Sequence, residues 1–446
     1  MHRFCSGFNY RIGFVLPLII LSLMLPACRE EQRPPAPTAP QVEVAVFGTE
    51  APTNTPVPSP TPDNITPTAE STTEISAATP DASTENPVST ANNRPANVNP
   101  LTGLEVDDPA TLKRRPLMVR VGNDPAARPQ VGLNQADVVY EELVEWWVTR
   151  FTAIYLSQTP EMIAPIRSAR LINLYLTPQY QGALVNSGGS DPVRWELSQS
   201  DIINLDEFFI PDPFFYRENE GWQTRLAVNG QAARDYLTDE ALDTAVNLRG
   251  FVFSESLDLT AIPTEAIGPA QEITIPYPAQ SSEAQWQYDP AGGKYLRFTT
   301  GEPMMNFDGS QVAASNVIIY FADHQPTDIV EDSNGATSIR TMVNGFGTAW
   351  LLRDGGIAKG NWQTEGRDTP QFLFNDGRPM PLKPGNTWIE VVPLEYTLDI
   401  DGVEHSRLDI ETEATEESPG ATDTPAPAPS PTLTPIGAPP ATTESP

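Results

Sequence analysis

Two arginines, Arg167 and Arg170, flank Ser168 in the hexapeptide PIRSAR (165–170), directly after a strand-like apolar run. Each guanidinium presents a planar fork of donors suited to a carboxylate or a phosphate. Arg128 and Arg150 can join them. The segment NSGGS (186–190) adds Gly188, Gly189 and Ser190, a turn whose glycines let a backbone approach a ligand closely. A helix that follows such a turn, or follows PIRSAR itself, offers free N–H groups and a dipole that favour an anion. Anion binding is therefore one chemistry open to this set. The other is structural: Asp137, Glu141 and Glu145 can neutralise the same arginines as a buried or edge network.

Asp137 and Glu141 are also the candidates for acid–base work. They would serve a carboxylate-based hydrolase or transferase acting on an envelope glycan or peptide, with the arginines as oxyanion or carboxylate clamps. On a strand Asp137, Glu141 and Glu145 share a face, with successive members about 13 Å apart. That is wider than glycosidases use, so catalysis needs a partner from elsewhere. Histidine is nearly absent: only His324 and His405 lie beyond the N-terminal segment. A His-based serine triad or His metal cluster within the first half is excluded. The acid-rich FADHQPTDIVEDSNG around His324 fits no EF-hand spacing, so no metal and no cofactor are expected. Trp146 and Trp147 fall at the tip of an expected hairpin, where a tryptophan can stack on a sugar ring, touch a partner or pack inward.

The chain carries a formal net charge of -31, from 27 Lys and Arg against 58 Asp and Glu. Such a surface repels nucleic acid and anionic lipid, and no nucleic-acid partner is expected. The N-terminus reads as a targeting segment: Arg3 and Arg11 precede IGFVLPLIILSLML, an apolar run short for a bilayer span. It ends in LPAC (25–28), which resembles a bacterial lipobox. Cleavage after residue 27 leaves Cys28 to carry lipid and anchor the protein outside the cytoplasmic membrane. The alternative is a plain secretory signal cut near Ala27. Cys5 leaves with the signal and Cys28 is consumed, so no thiol remains for a disulfide, a nucleophile or a metal.

These residues need a scaffold. Residues 28–98 and 411–446 are rich in Pro, Thr and Ser and poor in large apolar side chains, which predicts a disordered tether and tail. Between them, 99–250 reads as an α/β or α+β domain, 251–270 as a linker and 271–410 as a mostly-β domain. LMVRV (117–121) reads as a strand. DVVYEELVE (137–145) and VTRFTAIYLS (148–157) read as a strand pair. SARLINLYL predicts a helix capped by Ser168, and ALVNSGGSDPVRWELSQS a strand, a turn and a helix capped by Asp191. DEALDTAVNL (239–248) predicts a helix closing the domain. WQYDPAGGKYLRF predicts a hairpin, with NVIIYFAD, GTAWLLRDGG, FLFNDGRPM and NTWIEVVP as further strands.

Several of these segments together resemble the YerB-like lipoproteins, a bacterial family defined by domains of unknown function. The likeness is carried by PLTGL (100–104), RPLMVRVGNDPAARPQVGLNQADVVYE (115–141), TRFTAIY (149–155), IAPIRSAR (163–170) and NSGGS. In the second half it is carried by NVIIYF, GFGTAWLLRDGG and LKPGNTWIEVVP. EWW (145–147) departs from the EGG usual in the family, and a common PHN is missing near TRLAVN (224–229). The resemblance implies an envelope lipoprotein and supplies no reaction. The leading expectation is a binding or scaffolding module with an arginine-lined site for an anionic small molecule or an envelope glycan or peptide. A purely structural lipoprotein is the third class.

Overall fold

The computed structural model describes residues 93–257 and 267–409. The targeting segment with Cys28, most of the tether, residues 258–266 and the tail from 410 lie outside the described residues. Strands and helices first alternate: β1 (Leu117–Gly122), β2 (Val138–Leu143), β3 (Thr149–Tyr155), α1 (Asn173–Gln179), β4 (Ala183–Asn186) and α2 (Asp191–Ser198). Then come β5 (Ile203–Asp206), β6 (Phe214–Tyr216), β7 (Leu226–Val228) and α3 (Gly230–Asp239). The second half is built from strands: β8 (Ile267–Pro269), β9 (Glu272–Ile275), β10 (Ala284–Asp289), β11 (Lys294–Thr299), β12 (Glu302–Pro303), β13 (Ala313–Ala314) and β14 (Asn316–Val330). The set closes with β15 (Thr337–Met342), β16 (Gly345–Arg353), β17 (Gly356–Thr364), β18 (Gln371–Leu373), β19 (Thr387–Pro393), β20 (Thr397–Ile400) and β21 (Val403–Ser406). An α/β first half is thus joined to a β-rich second half.

The two halves share one mixed sheet, ordered β18-β17-β16-β14-β19-β2-β3-β1-β4-β5, with β15 on β14 and β8 on β17. The joint is β19 against β2, parallel, with Glu390 beside Glu141. A smaller sheet runs β12-β11-β10-β9-β20-β21, with β13 on β11. The period-2 alternation explains the layers. Val139 and Leu143 of β2 and Trp388 and Val392 of β19 share a core with Ile273 and Trp286 of the smaller sheet and with Ala233 and Leu237 of α3. Val138, Tyr140, Ile389 and Val391 face the opposite core, which holds Leu176 of α1. Covering on both faces is why β1, β2 and β19 are buried along their whole length.

Three local expectations need correction. Residues 240–248 form no helix, and Asp239 instead ends α3, which starts at Gly230, where Asn229 caps it by accepting from the Ala232 N–H at 2.8 Å. Asp243 is drawn instead into accepting from the Arg115 N–H at 2.9 Å. Helix α2 is entered through Ser190 rather than Asp191. Helix α1 starts at Asn173, whose side chain accepts from the Arg170 N–H at 2.9 Å, so Ser168 caps nothing. The ends of the tether and linker also meet the core. Arg94 donates to the carbonyls of Arg249 and Phe251, and Phe251 and Phe253 are buried.

Under the joint, Arg297 of β11 reaches both adjacent carboxylates. Its Nη2 is 2.8 Å from Glu141 Oε2 and its Nε 3.9 Å from Glu390 Oε1, all three side chains being inaccessible to solvent. Trp286 Nε1 donates to Glu390 at 2.7 Å. Burial, and then the charge of Glu141, push the Glu390 carboxyl well above its usual range. Replacing Arg297 by Met should strand Glu141 and cost about 3–5 kcal/mol in a urea titration. Glu390→Gln, which mimics the protonated acid, should cost far less.

Candidate functional site

Strands β1, β4 and β5 are parallel neighbours and end together at Gly122, Asn186 and Asp206. The loops beyond their carboxyl ends form one side of a cleft of about 620 Å³. Asp124 follows β1, Ser187 follows β4, and Glu207 and Phe208 follow β5, all lining it. Open α/β sheets take ligands at this end, where neighbouring connections diverge. The PIRSAR loop closes the floor. Pro165 O accepts from the Gly122 N–H at 3.0 Å, and Arg167 donates its N–H to Arg120 O at 2.9 Å. Arg167 O accepts from the Ser187 N–H at 3.1 Å. A Cβ on Gly122 would stand 2.9 Å from Arg167 Cγ, so glycine here leaves room for that side chain. Arg167 then reaches Asp124 at 3.2 Å, both side chains partly exposed.

Glu145, at the turn between β2 and β3, gathers two guanidinium groups. Arg150 Nη2 lies 2.8 Å from it, and Arg170 donates through Nε at 2.7 Å and again through Nη2. Glu331 of the β14–β15 turn lies 3.5 Å from Arg170. Burial alone would raise Glu145, but Arg150 and Arg170 outweigh it and hold the carboxyl at about 2. Arg150 is pushed down to about 9, first by burial and then by the nearby charge of Arg170. The two arginines of PIRSAR therefore part company. Arg167 lines the cleft with Arg150 and Ser168, whereas Arg170 is buried behind it.

The remaining sequence candidates sit elsewhere. Arg128 donates to Asn123 Oδ1 at 3.1 Å, to Asn123 O at 2.7 Å and to Ser281 O, bracing a loop and not lining the cleft. Gly188, Gly189 and Ser190 do not line the cleft, and a carboxylate of the chain already meets this turn: Asp206 accepts from the Gly188 N–H at 3.1 Å and the Phe208 N–H at 3.0 Å. Arg194 pairs with that carboxylate at 3.2 Å. Neither acid–base candidate reaches the cleft. Asp137 is buried before the first residue of β2 and accepts from Leu156 N, Ser157 N, Ser157 Oγ and Asn99 Nδ2. Glu141 is buried against Arg297, Thr149 and Asn123. Both carboxylates are taken up by the fold.

The second wall was not anticipated. Strands β6 and β7 form a two-stranded ribbon that presents Tyr216, Trp222, Gln223 and Arg225 to the cleft. Arg217 pairs with Glu220 at 2.8 Å and Thr224 Oγ1 donates to Glu220 at 2.8 Å, bracing the tip. Arg225 lies 4.7 Å over the Tyr216 ring and is exposed; no carboxylate among the described residues pairs with it. Glu207 accepts from Ser187 Oγ at 2.6 Å and Tyr216 OH at 2.8 Å. Opposite, Trp146 takes a left-handed backbone (φ 64°), stays exposed and donates Nε1 to Asp332 at 2.7 Å. The Trp147 side chain lies outside the described residues. The signal for the ribbon was available in FFYRENEGWQTRLAV, two aromatic or apolar runs around an Asn-Glu-Gly turn.

The chain matches a protein family of unknown function, DUF3048, over both its domains: the N-terminal one at residues 101–243 and the C-terminal one at 273–389. It belongs to the DUF3048 family. Among curated proteins it is 30% identical over 301 residues to "Putative lipoprotein YerB" of Bacillus subtilis (strain 168), covering 66% of this chain and 86% of that protein. The crystal structure of YerB protein from Bacillus subtilis superposes with a TM-score of 0.56 at 26% identity, covering 66% of this chain and 95% of that one. In this DUF3048 protein the lining of the cleft falls within the N-terminal match, while Glu331 behind Arg170 comes from the C-terminal one.

The split between the two arginines is measurable. Arg170→Gln should cost about 3–5 kcal/mol in thermal or chemical melts, since it leaves buried Glu331 without its cation and Glu145 with Arg150 alone. Arg167→Gln should stay within about 1 kcal/mol. Glu145 also sets a pH signature. With its folded value below the ordinary 4.5, its contribution is present above pH 4.5 and lost as pH falls through about 2. Melts of Glu145→Gln should show a shallower acid loss in that window than the parent protein.

Proposed function

We propose that this DUF3048 protein is an extracytoplasmic binding module, anchored to the membrane by lipid on Cys28, whose cleft takes an anionic ligand. The anchor is supported by LPAC at residues 25–28 and by the name of the curated relative, a lipoprotein. One observation carries the ligand class: Arg225, without a carboxylate partner among the described residues, stands across the same cleft as Arg167 and Arg150. In an acidic protein a guanidinium left unpaired in a concave site is available to a carboxylate or phosphate from outside. The pre-braced loops keep the cost of ordering the site low on binding.

Titration calorimetry with glucuronate and with inorganic phosphate tests the site. The double variant Arg167→Gln/Arg225→Gln should lose binding by more than about tenfold with a stability change of about 1 kcal/mol or less. Binding should also weaken as salt rises. Binding untouched by the double variant would remove the proposal's best residues. For the anchor, Cys28→Ala should move the protein from washed membranes to the soluble or medium fraction, and continued pelleting would contradict it.

A further inference from the structure

We infer that the ligand's body is a saccharide, so that the cleft takes an oligosaccharide bearing sparse carboxylates; this rests on the anion-binding proposal for the same cleft. Large aromatic side chains normally end up mostly buried, yet here several surround one cavity and stay open. Trp222 is 72% exposed at the tip of the braced ribbon and Trp146 59%; Tyr216 at 58% and Phe208 at 67% are exposed too, with Arg225 and Arg194 over one face of their rings. Flat apolar faces beside polar groups match sugar rings, which have apolar C–H faces and hydroxyl rims. The cleft also offers hydroxyl-accepting groups. Glu207 holds one O–H donor on each oxygen, from Ser187 and Tyr216, and keeps one lone pair on each for a sugar hydroxyl.

Charge selects among anions. A net charge of -31 opposes the approach of a polyanion, whether polyphosphate, nucleic acid or a strongly acidic peptide. Against that field one unpaired guanidinium, Arg225, compensates about one carboxylate at a time. A largely neutral, hydroxylated body with an occasional carboxylate satisfies the aromatic wall, the acceptors and Arg225 together.

The full-length protein would be titrated with a xylotriose carrying a single glucuronate branch, its methyl ester, glucuronate and a blocked tripeptide with one carboxylate (acetyl-diglycyl-glutamate amide). The branched acid should bind at least about tenfold more tightly than glucuronate, the peptide or the ester. Trp222→Ala should remove that advantage with the Tm unchanged, and Trp222→Tyr should retain most of it. Should the peptide bind as tightly as the branched acid, or should Trp222→Ala change nothing, the saccharide inference falls. Glucuronate binding that still needs Arg167 and Arg225 would leave the anion site standing in that case. Equal binding of the ester removes the carboxylate from the inference, and no binding of any anion overturns both.

Discussion

Arg297 is the side chain on which the arrangement hangs. The parallel pairing of β2 with β19 sets Glu141 beside Glu390 in the interior, where two like charges would repel at low dielectric. A guanidinium from the smaller sheet fills the position between them, and Glu390 is driven toward its neutral form. One residue thereby ties β2 of the first half, β19 of the second and β11 of the covering sheet. The same contact reaches the cleft. Glu141 also accepts from Thr149 and Asn123, and Asn123 Oδ1 accepts from Arg128 and Gln130, which fixes the loop carrying Asp124.

Strand β2 carries carboxylates on both faces, and each has its own arginine. Glu141 meets Arg297 on one side, and Glu142 meets Arg120 on the other. Burial still pushes Glu142 up to about 7 against the pull of Arg120. Such pairs add little net stability, because desolvation offsets much of the attraction. Their effect is on register. A slip of β2 by one residue would turn Glu141 and Glu142 to opposite faces and leave each away from its cation.

Glu145 continues the pattern at the turn beyond the end of β2. It pairs with both Arg170 and Arg150, and Glu331 adds to Arg170, so the arginines nearest the sheet serve the fold. The charge available to the proposed ligand lies farther out, on Arg225 of the ribbon and on Arg167, which Asp124 meets at a partly exposed site. Of the three arginines lining the cleft, Arg150 and Arg167 meet carboxylates and Arg225 meets none among the described residues.

Much of the local structure could be read from the chain. Alternation marked β2 and β3, the Pro-Ala-Gly-Gly turn marked the hairpin of β10 and β11, and NSGGS marked the passage from β4 to α2. The ordered motifs also placed the family. These are short-range properties, set by side-chain periodicity and turn stereochemistry within a few residues. Helix limits were misjudged where a cap or tertiary bond decided them, as at Asn229 and Asp243. Which arginine faces water was decided elsewhere again. Arg170 is buried because Glu145 and the distant Glu331 close over it, and Glu141 is spent because Arg297, 156 residues on, arrives from another sheet. Spacing in the sequence named the charged groups, but only the meeting of strands from both halves determined their partners, since ion pairs depend on distance in space and not along the chain.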